Sequence, residues 1–359
     1  MKVRIAGVLL LMSASCAAPP PPAPFRDSID ELARRALASG KHMGLVVGVL
    51  KDGEAATWGY GRRSVDDPRP PDGRSVFEIG SVTKALTGIL LALAVERGDL
   101  ALDDPARKHL PESLSLPSRE GKEITLAHLA THTSGLPRLP SNLAPADPAN
   151  PYADYTVERL AKFLSGHKLR RDPGLTYEYS NLGAGLLGHL LAIESHLTYE
   201  QLVGCRICDA LDLRDTRITL TDSMKSRLVP GHDEKLRRVP NWDIPALAGA
   251  GALRSTADDM LAFLAANLNL KPGPLQKAMA LSQVPRADAD GGGTRIGLGW
   301  HVTPLPMSKR TMVWHNGGTG GYSSFAGFVP ETRTAVVVLS NTTESIDFAA
   351  MMALEILNR

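Results

Sequence analysis

The chain has 359 residues, 43% of them hydrophobic and 22% charged, with 40 Lys and Arg against 38 Asp and Glu for a formal net charge of +2. That balance suits a soluble protein with a substantial core, built as two domains or as one large domain with an insertion. It excludes a small disulfide-stapled module, a wholly disordered chain, and the basic footprint of a nucleic-acid binder.

Lys2 and Arg4 precede an apolar run from Ile5 to Met12 and a stretch of mostly small residues, Ser13 to Ala18, which reads as a signal peptide over 1–15. The run is shorter than the roughly 20 residues a membrane-spanning helix needs, so the expectation is an exported protein, periplasmic or membrane-anchored as a lipoprotein. Cys16 is the candidate for lipidation, although Ser13 stands where a lipobox carries leucine; cleavage after Ala17 or Ala18 is the alternative. Residues 16–25, rich in proline, form a stiff tether, and 26–359 is the folded unit.

Asp27 or Ser28 is placed to cap a helix bearing Ile29, Leu32, Ala33, Ala36 and Leu37, ending at Gly40. Residues 44–50 and 55–60 flank a Lys51-Asp52-Gly53-Glu54 turn and predict a β-hairpin. Helical spacing follows at about 82–97, 125–132, 156–165, 181–195 and 199–211. Cys205 and Cys208 lie in the last of these, and its helical spacing argues against a redox or zinc motif while leaving a local disulfide open. A further helix at 258–268, strands at 298–302, 311–315, 323–329 and 334–339, and a helix at 346–357 complete the chain. Strands at both ends around a helical middle predict an α+β fold. It has one antiparallel sheet (about 26–80 and 255–359) flanked by helices, and an all-helical insertion over about 81–254.

Three clusters carry candidate chemistry. In Ser81-Val82-Thr83-Lys84 the side chains of Ser81 and Lys84 fall on one helix face a turn apart, so an amine can take the serine's proton. Ser165-Gly166-His167-Lys168 repeats the spacing, but it ends a helix and runs into a solvated loop, so it reads as a chance match. Tyr179-Ser180-Asn181 sits on a turn before a helix, where a phenol can relay a proton and an amide can orient a carbonyl; the plainer reading is a buried Tyr with Asn181 as N-cap. The third cluster, 313–322, is a strand end entering a glycine-rich turn, with His315, Asn316, Gly317 and Gly318 placed for a substrate along the strand edge.

In this order, Ser-x-x-Lys, Tyr-x-Asn and a His-x-Gly strand, the chain resembles the penicillin-recognising serine hydrolases, in the branch of class C β-lactamases, DD-carboxypeptidases and related esterases. The stretches 124–137, 251–260 and Gly297-Leu298-Gly299-Trp300 match the same family's habits. The resemblance implies a β-lactamase-like fold, with Ser81 as acylated nucleophile and with Lys84 and Tyr179 sharing the general-base role. It implies that Asn181 contacts the substrate's amide side chain and that the backbone N–H groups of Ser81 and Gly318 form an oxyanion hole. It also implies a small-molecule or peptide acyl donor, and neither metal nor organic cofactor. His315 stands where class C β-lactamases carry Lys in Lys-Thr-Gly, and Asn316 replaces the hydroxyl residue after it. A histidine there, charged only in part near pH 6.5, weakens the grip on a substrate carboxylate. The expected substrates are β-lactam or D-alanyl peptide amides. The alternatives are an ester, or a sensor that acylates without turnover.

Overall fold

The run 44–50 folds as β1 (Gly44–Lys51), and β2 (Glu54–Gly61) pairs back on it through the two-residue turn Asp52-Gly53, as the hairpin reading expects. The computed structural model describes residues 25–112, 114–270 and 272–359; the expected leader, Cys16 and all of the tether except Phe25 lie outside the described residues. Every residue of β1 from Gly44 to Leu50 is buried, because the strand has a core on each face: Val46 and Leu50 point into one, Leu45, Val47 and Val49 into the other. A strand covered on both sides has no need for alternating polarity, which accounts for its unbroken apolar sequence.

The short β3 (Phe77–Glu78), β4 (Gly231–His232), β5 (Arg238–Val239) and β6 (Arg254–Ser255) lie outside the main sheet. That sheet is completed by β7 (Ala287–Asp288), β8 (Arg295–Ile296), β9 (His301–Pro304), β10 (Thr311–Gly318), β11 (Ser323–Val329) and β12 (Thr334–Ser340). Its order is β2-β1-β12-β11-β10-β9-β8-β7, antiparallel throughout, so the two ends of the chain meet at the β1–β12 pair. The helix α1 (Arg26–Ala38) and the C-terminal helix cover one face over Phe325, Val336 and Val338. On the other, α2 (Thr83–Glu96) and a helix at Ala257–Asn267 pack over Val313, Phe328 and Val337.

The insertion carries α3 (Leu126–Ala130), α4 (Val157–Gly166), α5 (Asn181–Glu194), α6 (Tyr199–Val203), α7 (Asp209–Leu211) and α8 (Asp222–Arg227). After it come α9 (Ala257–Asn267), α10 (Gln276–Gln283) and α11 (Asp347–Leu357). The insertion is not purely helical, since β4 and β5 form a small hairpin within it. Between α6 and α7 the chain widens into a π-turn at Gly204–Cys208, and both cysteines are free. Cys208 is buried, its thiol donates to the Thr216 carbonyl at 3.4 Å, and burial pushes its pKa up to about 12, so it is an inert core residue.

Two features of the fold shape the site. α2 is buried without a break from Thr83 to Leu93, so Lys84 enters the core along with its neighbours. At about 1.5–3 kcal/mol for each large apolar side chain, burial of Leu86, Ile89, Leu90 and Leu91 outweighs the several kcal/mol that a buried amine costs. The strand expected at 298–302 begins only at His301. Gly299 turns with φ +75° and lies so close to α2 that a Cβ there would sit 2.2 Å from the Lys84 carbonyl. The Gly-Leu-Gly-Trp segment is therefore a crossing over the first turn of α2, and its conformation comes from that contact, not from strand propensity.

Candidate active site

Ser81 lies on a 3₁₀ turn, Gly80–Val82, that leads straight into α2, and Lys84 follows one turn later. The Lys84 Nζ lies 2.9 Å from Ser81 Oγ, 2.9 Å from Asn181 Oδ1 and 2.6 Å from the Ala250 carbonyl. None of these partners is a carboxylate. With the side chain 2% exposed, burial holds the amine well below the ordinary lysine value, and the Arg138 charge pushes it the same way. A neutral amine has two N–H bonds and one lone pair. The two carbonyl-type oxygens accept the two N–H bonds, which leaves the lone pair for the Ser81 hydroxyl.

Tyr179, on the turn before α5, and Asn181, the first residue of that helix, reach the same point. Ser180, not Asn181, caps that helix, accepting from the Gly183 N–H at 2.8 Å, and the Asn181 amide is thereby released toward Lys84. Tyr179 lies beside Ser81. Desolvation pushes its phenol up to about 12, the Ser81 contact and the Arg138 charge partly opposing, so it is protonated at neutral pH.

The third cluster differs from expectation in where the strand ends. β10 continues through Gly318, paired with β11 as far as Gly318↔Ser323. Side chains alternate along it, so His315 and Gly317 face the site and Asn316 faces away. The Asn316 amide donates to Asp347 at 2.6 Å, on α11 beyond the sheet. The expected role of Asn316 in binding substrate is corrected on that ground. His315 is fully buried, its Nδ1 donates to the Asn316 carbonyl, and desolvation holds it well below 6.5. The expectation of a partly charged imidazole near pH 6.5 is therefore overturned: His315 is a neutral ring, 6.2 Å between centroids from Tyr179. Gly317 lets the strand close on the nucleophile's turn, because a Cβ there would fall 2.1 Å from the Ile79 carbonyl and 2.9 Å from the Ser81 nitrogen. Gly317→Ala should then displace the Ser81 turn and slow acylation by at least about 100-fold in a folded protein, measured by stopped-flow labelling; a wild-type rate would show that the close approach is dispensable. Gly318 and Ser81 line one cleft with Tyr152, Asn181 and Trp242.

Three residues not singled out from the sequence complete the surroundings. His132, at φ +58°, accepts the Ser180 N–H on Nδ1 at 3.1 Å and the Glu178 N–H on its carbonyl at 2.7 Å, with its ring 4.5 Å from that of Tyr179. It thereby clasps the Tyr179 segment from both sides. Arg138 places its Cζ 5.1 Å from the Tyr179 ring centroid. His301 Nε2 lies 3.1 Å from the Tyr177 hydroxyl, and burial lowers its pKa to about 4. As pH falls from 6.5 to 4 the unfolded chain therefore takes up a proton that folded His301 refuses, and stability is lost across that window. The loss attributable to His301 is about 3 kcal/mol at pH 4. Urea titrations should show His301→Phe losing about that much less than wild type between pH 6.5 and 4, and an unchanged slope would contradict the assignment.

The second Ser-x-x-Lys copy shows none of this. Ser165 is exposed at the end of α4, and its hydroxyl donates to the Lys162 carbonyl at 3.2 Å.

An antiparallel sheet with a largely helical insertion, and a serine-lysine pair at their junction, define the class as a serine hydrolase of the penicillin-recognising type. Residues 29–359 match the family model described as Beta-lactamase, and the chain belongs to that family. A Beta-lactamase of Escherichia coli (strain K12) is 28% identical, covering 92% of this chain and 93% of its own. The D-alanyl-D-alanine-carboxypeptidase/endopeptidase AmpH of Escherichia coli (strain K12) is also 28% identical, over 87% of this chain and 83% of its own. The solved class C beta lactamase from Rhodobacter sphaeroides superposes with a TM-score of 0.78 at 26% identity, covering 92% of this chain and 98% of its own. The family resemblance read from the three motifs is thus borne out.

Proposed function

We propose that this chain hydrolyses β-lactam or D-alanyl peptide amides through an acyl-enzyme on Ser81. The observation that carries the reading is the buried Lys84 amine, 2.9 Å from Ser81 Oγ with its two N–H bonds directed at Asn181 and Ala250. Lys84 takes the hydroxyl proton as Ser81 Oγ attacks the carbonyl carbon, and the developing oxyanion rests on the N–H groups of Ser81 and Gly318. When the C–N bond breaks, Tyr179 gives its phenolic proton to the leaving nitrogen and recovers one from the Lys84 ammonium. Water then adds to the acyl ester, loses a proton to Lys84, and Ser81 leaves with that proton restored. Asn181 orients the acyl side's amide throughout. The match to a Beta-lactamase and to a D-alanyl-D-alanine-carboxypeptidase/endopeptidase supports these substrates.

An ester substrate is the second reading, favoured by the neutral His315 and by Asn316 turning away from the cleft. A turnover panel on the purified protein decides between them: a chromogenic cephalosporin, a D-alanyl-D-alanine peptide and a nitrophenyl ester. Steady release from either amide supports the proposal, release from the ester alone supports the second reading, and a stoichiometric burst without turnover points to a sensor. Export is part of the proposal, supported by the basic and apolar start of the chain; acylation of Cys16 against cleavage at Ala17 or Ala18 is read from the mature N-terminus by mass spectrometry.

A further inference from the structure

The strand edge that faces the nucleophile offers no cation: His315 is a buried neutral ring, and Asn316 is committed to Asp347. A guanidinium stands at the mouth of the site instead. The Arg138 carbonyl accepts the N–H groups of Asn181 at 3.0 Å and Leu182 at 3.2 Å, which ties its backbone to the turn that carries Tyr179 and Asn181. Its side chain is exposed, with Cζ 5.1 Å from the Tyr179 ring centroid, and Lys84 Nζ lies 4.9 Å from the same centroid. Two other arginines of the insertion are occupied, Arg171 by Glu178 and Arg119 by Asp172. Arg138 has no ion pair and no side-chain hydrogen bond among the described residues. A guanidinium held against an aromatic ring keeps its edge N–H groups free, and those groups match a carboxylate two at a time.

We propose that Arg138 is the specificity-determining cation of this site, taking a carboxylate on the leaving-group side of the acyl donor where the strand residues His315 and Asn316 cannot. The inference rests on the reading of Ser81 as the acylated nucleophile and adds the class of donor that site selects: one whose departing half is anionic. Arg138 takes no part in bond making; it fixes the leaving group beside Tyr179, the residue assigned to protonate it.

The test uses two acyl aryl esters that differ only in a carboxylate on the leaving phenol, together with a D-alanyl-D-alanine peptide and its C-terminal amide. Wild type should favour the carboxylated member of each pair it turns over. Arg138→Ala should lower kcat/KM on that member by about 10- to 100-fold, mostly through KM, and change the neutral member less than about 3-fold. Arg138→Lys should restore much of the loss, and added salt should weaken the wild-type preference but not that of Arg138→Ala. Equal losses on both members would make Arg138 a partner of Tyr179's chemistry and overturn the proposal. No loss on either would overturn it as well. Fluorophosphonate labelling separates the two levels of failure: labelled Ser81 without carboxylate preference sinks the Arg138 assignment alone, whereas an unlabelled Ser81 sinks the reading beneath it.

Discussion

Ser81→Ala should abolish covalent labelling by a fluorescent penicillin or fluorophosphonate and lower kcat by at least about 10⁴-fold. Alanine keeps the Gly80–Val82 turn and the packing of α2 and removes only Oγ, so Lys84 is left with no hydroxyl to deprotonate. The loss should therefore appear in a protein that melts like wild type. Ser165→Ala is the matched control, because the exposed Ser165 is bonded to its own helix and should leave activity within about 2-fold. Full labelling of Ser81→Ala, or inactivation by Ser165→Ala, would show that the wrong serine has been assigned.

Lys84 carries the second large effect, and its variants separate a base from a cation. Lys84→Arg supplies a permanent charge and N–H donors and stays protonated at any accessible pH, so it cannot accept the Ser81 proton. It and Lys84→Met should both slow acylation by about 10²- to 10⁴-fold. A Lys84→Arg variant retaining most of the rate would mean that positive charge, not basicity, is what Ser81 needs. The pH profile makes the same point. The Lys84 amine is held well below the ordinary lysine value by burial, so the acid limb of the rate on a neutral ester should lie well below the ordinary lysine range and the rate should be level through that range. No alkaline limb is expected below the Tyr179 value of about 12. A rate still climbing through pH 10 would show a lysine titrating at its ordinary value, contrary to its burial.

How far these residues could be read before the fold was known depended on whether the cause was local. The runs 44–50, 323–329 and 334–339 are legible because strands buried on both faces carry no charge and are mostly apolar, with only the small polar residues Ser323, Ser324 and Thr334 at their starts. The nucleophile is legible for the same kind of reason: a three-residue spacing at the head of an apolar helix sets one geometry. Asn316 is not legible, since its direction depends on the strand continuing through two glycines that read as a turn. His315 is visible as a departure from lysine, but its neutrality comes from burial that no spacing reports. His132 and Arg138 are brought to Tyr179, and His301 to Tyr177, from distant parts of the chain. The stretch 124–137 signals only that something around His132 matters, not that its ring accepts the Ser180 N–H. β7, β8 and α10 escape because each is short and is stabilised by its neighbours more than by its own pattern.

The most direct measurement is to trap the acyl-enzyme by acid quench during turnover of a cephalosporin or D-alanyl peptide, digest it, and locate the added mass by tandem mass spectrometry. The adduct should lie on the peptide containing Ser81, at Ser81 itself, and should form more slowly when Tyr179 is replaced by Phe, because the leaving nitrogen then lacks its proton donor. An adduct on Ser165 or any other residue, or turnover with no adduct at any quench time, would contradict the mechanism at its root.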